Sequence, residues 1–144
     1  MKTTVLSIIG VVAFAILTGL SVKAQSDRLL GAEIPFNFYV NDRALPAGEY
    51  RFEAIQIGGS DALKIQSKDG HSTVFVQVRL STPTSNKLES IVRFHRFGDE
   101  YFLSQVQGFG DEAVHMLSRS KLEKRAFARS TSTPKQSTIS ITRR

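Results

Sequence analysis

Cysteine and tryptophan are both missing from the 144 residues. Without cysteine there is no disulfide, no thiol nucleophile, no thiolate metal ligand and no residue to carry a lipoprotein's lipid. Packing alone must hold the fold. Proline occurs four times, at 35, 46, 83 and 134, so each one reads as local punctuation. A G-x-S-x-G elbow is absent, and no Ser, His and acid stand in a recognisable nucleophilic pattern. His71, His95 and His115 are far apart, outside the short ligand spacings that zinc sites use. The adjacent acids Asp99-Glu100 and Asp111-Glu112 sit in turn-like segments and read as solvated charges. The expectation is therefore no enzyme, no cofactor and no metal. Gly108 to Ala113 does match the dinucleotide pattern G-x-G-x-x-A. That motif needs a helix and a second parallel strand after it, and only a short polar stretch follows, so a glycine-rich loop is the better reading.

Charge is unevenly spread. The chain has 19 basic and 13 acidic side chains. Eight of the basic ones, Arg119, Lys121, Lys124, Arg125, Arg129, Lys135, Arg143 and Arg144, lie at the C-terminal end against one acid, Glu123. The rest of the chain after the first 24 residues is mildly acidic. The high isoelectric point belongs to this end alone. These eight cations are the candidate contact with an anionic surface, an envelope polymer or lipid headgroups. No aromatic follows Phe127 to stack on bases, which argues against specific nucleic-acid reading.

Long apolar character is confined to the beginning. Lys2 precedes an apolar stretch over residues 5–20, and Val22-Lys23-Ala24 resembles the small-residue site that signal peptidase cuts. The run is shorter than the roughly 20 apolar residues that span a bilayer comfortably. Residues 1–24 are expected to be a secretory signal peptide cleaved near Ala24-Gln25. The mature protein would be secreted or periplasmic and keep no transmembrane segment.

What remains is patterned with period two. Over 33–40, Ile34, Phe36, Phe38 and Val40 share a face, with Pro35 suggesting a strand start or edge. Leu45-Pro46-Ala47-Gly48 is a turn, because proline presets its φ and glycine suits the fourth position. A strand follows over 49–55 with Tyr50, Phe52 and Ala54 together, ended at Gly58-Gly59. Asp69-Gly70 signals a two-residue type I′ hairpin. Pairing outward from it sets Lys68 opposite His71, Ile65 opposite Val74 and Leu63 opposite Val76. After a polar loop over 82–87, strands over 88–97 and 101–107 flank Gly98-Asp99 and set His95 opposite Phe102. Both faces of this pair carry apolar residues, which implies cover on both sides or a bulge. A closing strand is expected over 113–118. Ser120-Lys121-Leu122-Glu123 is a capping box opening a helix to about 129. Residues 130–144, rich in Ser and Thr, are expected to be disordered. The fold class is all-β: a small antiparallel sandwich or flattened barrel of six to eight strands, with a short C-terminal helix. The three tyrosine hydroxyls, on Tyr39, Tyr50 and Tyr101, are expected near water.

Two of these segments, Leu45-Pro46-Ala47-Gly48-Glu49-Tyr50 and Gly98-Asp99-Glu100-Tyr101-Phe102-Leu103, resemble an uncharacterised family of small exported bacterial β-proteins. Phe36-Asn37-Phe38 and residues 118–124 fit the same pattern, so the resemblance covers roughly 33–127. It implies export and a β domain, and it carries no activity with it. The functional expectation is an exported binding or structural module. The alternative is a carrier with an apolar barrel cavity.

Overall fold

The computed structural model describes residues 29–83, 89–108, 112–131 and 133–141. The expected leader over 1–24, part of the 82–87 loop, and Arg143 and Arg144 lie outside them. Ten strands and one helix follow in the order β1 (Leu29–Ile34), β2 (Phe38–Val40), β3 (Arg43–Leu45), β4 (Gly48–Ile57), β5 (Ser60–Ser67), β6 (Thr73–Ser81), β7 (Ser90–Phe97), β8 (Glu100–Gln107), β9 (Val114–Leu117), α1 (Lys121–Arg129) and β10 (Lys135–Ile141). They form one open mixed sheet in the order β1-β4-β5-β6-β9-β8-β2-β3, with β7 on β8 and β10 outside β7. The all-β class with a short C-terminal helix stands.

β8 is the hub. Phe102 pairs with His95 of β7 and Tyr39 of β2, while Val106 pairs with Val92 of β7 and His115 of β9. One edge of β8 therefore belongs to β7, and the other is shared end to end by β2 and β9. The Arg43 guanidinium of β3 donates to the carbonyl of Thr73, which ties the β2–β3 hairpin to the start of β6. The sheet curls until β1 and β10 come near one another.

The inward faces meet in a single core. Ile34, Val40, Val92 and Phe94 are fully enclosed, with Phe38, Phe52 and Ile65 nearly so. Phe38 meets Tyr50 and Phe94 edge to face at 5.0 and 5.5 Å, and Phe36 stacks on Tyr101 at 3.8 Å. Such aromatic pairs add to what area burial supplies.

The strand expected over 33–40 keeps its inward face but is broken at 35–37. Pro35 has no N–H to extend the β1–β4 ladder, so the chain leaves the sheet and re-enters it as β2. The β5–β6 register is the expected one, Leu63 with Val76 and Ile65 with Val74. Its turn differs. Only Gly70 has positive φ, and Gly70 N–H donates to Ser67 O. The Asp69 carboxylate accepts from His71 N–H and the Ser67 hydroxyl, which stabilises an ordinary conformation at Asp69. The turn with φ positive at both positions, 58° and 80°, is Gly58-Gly59, between paired Ile57 and Ser60.

Three expectations are corrected. Tyr50 is buried, and its hydroxyl donates to Pro46 O at 2.7 Å, so it fastens the Leu-Pro-Ala-Gly turn instead of facing water. The segment after residue 130 is not wholly disordered. Lys135–Ile141 forms β10, in register with β7 from Lys135↔Arg96 to Ile141↔Ser90. Its hydropathy is low, but Thr138, Ile139 and Ile141 favour extended backbone, the ladder supplies its hydrogen bonds, and Ile139 packs on the core. There are also more strands than the six to eight expected, because β1 and β2 separate and β3 and β10 are added.

The apolar character of both faces of β7–β8 has a specific origin. The register runs Arg93↔Gln105 and then Phe94↔Leu103, which leaves Ser104 as an extra residue. This bulge turns both Leu103 and Val106 inward although they are three residues apart. Ser104 Oγ donates to Arg93 O at 2.9 Å and secures it.

Phe94→Ala is expected to cost about 3–5 kcal/mol in urea denaturation. Tyr50→Phe, which removes one hydrogen bond to a buried turn, should cost about 1 kcal/mol. Equal stability of both variants and the parent would contradict this packing.

Candidate functional site

α1 lies across the outer face of β7 and β8, and its placement follows from its sequence. Leu122 and Ala126 are spaced to lie on one side of a helix, and with Phe97, Phe102 and Tyr39 they form a second, smaller core. Two side chains cap the start of α1. Ser120 Oγ accepts from Glu123 N–H at 3.1 Å, and Asp42, from the β2–β3 turn, accepts from Leu122 N–H at 3.0 Å. That backbone N–H, helped by the Ser120 hydroxyl and by Lys121 and Arg125, holds the Asp42 carboxyl below its ordinary value of 3.8.

The capping box expects Glu123 to reach back to the start of α1. Its carboxylate instead reaches the sheet. Oε1 lies 2.6 Å from His95 Nδ1 and 3.6 Å from Arg119 Nε, with the Glu123 side chain 5 % exposed. An imidazole and a carboxylate thus rivet helix to sheet. Arg119 also lies over the Phe127 ring at 5.2 Å, and Phe127 meets Phe97 edge to face. The sequence spacing gives no sign of the His95–Glu123 contact, because 28 residues separate the partners.

The expected cations divide into two groups. Arg119 is drawn to Glu123, and Arg129 Nη2 lies 3.4 Å from Glu100 Oε2. Lys121, Lys124 and Arg125 are exposed on the side of α1 opposite Leu122, Glu123 and Ala126. Lys135 opens β10 opposite Arg96, and both line a surface groove of about 320 Å³ with Gly98, Asp99, Ser130 and Thr133. Two further shallow grooves flank the Glu49–Lys68 ion pair beside Tyr50.

The histidines do not converge. His71 is exposed after its turn, His95 sits opposite Phe102 as expected, and His115 is buried in β9 between Leu80 and Val106. Among the described residues, no group of three or more His, Cys, Asp or Glu could hold a metal ion. Residues 109–111 of the G-x-G-x-x-A match lie outside the described residues. The segment after it forms strand β9, where a dinucleotide motif requires a helix. Sequence reasoning also missed Arg93, Gln105 and Gln107, polar residues on the outer face of β7–β8 that look like ordinary surface positions.

No protein-family model, curated protein or solved structure matches the chain.

Glu123→Ala leaves His95 without its partner and should raise amide hydrogen exchange throughout α1 while sparing β4–β6. Uniform exchange across the molecule would deny the rivet. The Asp42 cap has a pH signature. Its folded value is depressed, so its stabilisation is complete above 3.8 and is lost as pH falls through the lower folded value. Exchange in α1 from about pH 5 to about pH 2 should show this loss, and Asp42→Asn should abolish it.

Proposed function

We propose that this chain is an exported binding module that meets an anionic surface of the cell envelope through the outer side of α1. One observation carries the reading: Lys121, Lys124 and Arg125 share the exposed side of the helix, while its one acid, Glu123, is turned into the sheet. Lys135 adds a further cation around the end of α1, where Arg96 is paired with Asp99. Clustered cations attract anionic polymers and headgroups at long range, and salt screens them beyond about 10 Å at 0.1 M. The N-terminal apolar stretch and the resemblance to exported β-proteins support delivery to that surface.

In this reading the curled sheet is a flattened barrel with its seam between β1 and β10. Its centre is filled by Phe38, Tyr50, Phe52 and Phe94. That packing favours a scaffold presenting a surface over the alternative of a carrier with an apolar cavity, which needs interior room.

The test is retention on vesicles containing anionic lipid and on an anionic polysaccharide resin. Binding should weaken as salt rises, and changing Lys121, Lys124 and Arg125 together to Gln should remove most of it while the circular dichroism of the folded protein is retained. Retention of that variant equal to the parent would retire the proposal.

A further inference from the structure

α1 carries an aromatic side chain that its packing only half covers. Leu122 and Ala126 lie beneath the helix in the smaller core, and Glu123 turns in to His95. Phe127 follows Glu123 by four residues and Lys124 by three. It therefore stands on the flank of the helix, between the buried side and the outward cations. Its ring meets Phe97 edge to face at 6.2 Å, and the Arg119 guanidinium lies over it at 5.2 Å. These contacts fix the ring, yet Phe127 stays 45 % exposed. A single exposed apolar residue on a surface is ordinary. This one borders the side of α1 that carries cations and no acid. The acids around it are engaged: Glu123 by His95 and Arg119, Glu100 by Arg129, and Asp42 by the Leu122 amide.

The two kinds of anionic surface differ in what they offer such a ring. A hydrated polyanion supplies counter-charges to the cations and nothing to Phe127. A bilayer supplies both, anionic headgroups above and the start of the acyl chains just below. Lysine and arginine have long flexible stems, so an apolar neighbour can sink while their charges stay among the headgroups. Lys124 and Arg119 flank Phe127 in this way. Ala128 is exposed three residues after Arg125 and four after Lys124. Having no long side chain, it lets the helix approach a surface closely.

We propose that the surface met by α1 is a lipid bilayer. Phe127 enters the boundary between headgroups and acyl chains while Lys121, Lys124 and Arg125 pair with anionic headgroups. The inference rests on the anionic-surface reading above and narrows it from any polyanion to lipid. The helix lies on the bilayer and does not cross it: among the described residues, no helix is long and apolar enough to span a membrane. One ring is a small apolar anchor, so attachment is reversible and depends on salt.

The chain has no tryptophan, so fluorescence from a Phe127→Trp variant reports on that position alone. Vesicles of phosphatidylcholine and phosphatidylglycerol should shift its emission to the blue, and bromine atoms on the upper acyl chains should quench it. Both effects should fade as salt rises and be absent with phosphatidylcholine alone. Dextran sulfate, a polyanion without an apolar layer, should leave the emission as it is in water. Phe127→Ser should weaken vesicle binding on the order of tenfold, the loss of about half of a phenyl ring's transfer from water, and spare binding to dextran sulfate. Phe127→Leu keeps an apolar side chain, guards against loosening of α1 in the serine variant, and should keep most of the vesicle affinity. Vesicle binding with neither blue shift nor quenching would overturn the insertion and leave the anionic-surface reading intact. A leucine variant no stronger than the serine one would do the same. Failure of the parent chain to bind either vesicles or dextran sulfate would overturn both.

Discussion

The single extra residue at Ser104 organises this molecule. A strand alternates faces with strict period two, so residues three apart point to opposite sides. By inserting Ser104 between Leu103 and Val106, β8 turns both into the core and restarts its alternation. The first half of β8 then offers Phe102 to α1 on the outside, and the second half offers Gln105 and Gln107. The edge of β8 away from β7 divides at the same place, with β2 pairing at Phe102 and β9 at Gln105 and Val106. A bulge bends its strand and increases local twist, which suits a sheet that must curl until its ends approach.

Around this hub, side chains fasten what backbone ladders leave loose. Tyr50 closes the Pro46 turn with its hydroxyl, Asp42 and Ser120 both cap α1, and Glu123 joins the helix to His95. Two of these fasteners, Asp42 on Leu122 and Glu123 on His95, link segments far apart in sequence. A domain without disulfides gains specificity this way, because each contact exists only when the global fold is correct. The same arrangement decides which charges remain free at the surface. Arg119 and Arg129 are engaged by acids from neighbouring elements, leaving Lys121, Lys124 and Arg125 outward.

Much of this was legible in the sequence, and particular residues show why. The inward sets Ile34, Phe38 and Val40, then Tyr50 and Phe52, then Leu63, Ile65, Val74 and Val76 keep a constant phase, and phase is what alternation reports. The β7–β8 pair was ambiguous because its phase changes partway, and hydropathy alone cannot distinguish a bulge from two covered faces. β10 was missed because Lys135–Ile141 contributes little apolar surface; its order comes from a ladder with β7, a non-local cause. Counting cations over 119–144 found the basic end but not the acids that engage some of it. Arg93 and Gln107 were passed over because polar residues on a strand ordinarily read as solvent-facing, and only their burial without partners sets them apart.

The most direct test of this account is the register of β7 against β8, read from cross-strand backbone nuclear Overhauser contacts. Pairing of Phe94 with Leu103 together with pairing of Arg93 with Gln105, Ser104 being skipped, is the expected result. An unbroken register that sets Phe94 against Ser104 would contradict it. Leu103 would then be phased with the outer face opposite His95 and Phe102 with the inner one, and both the core and the packing under α1 would lose their basis.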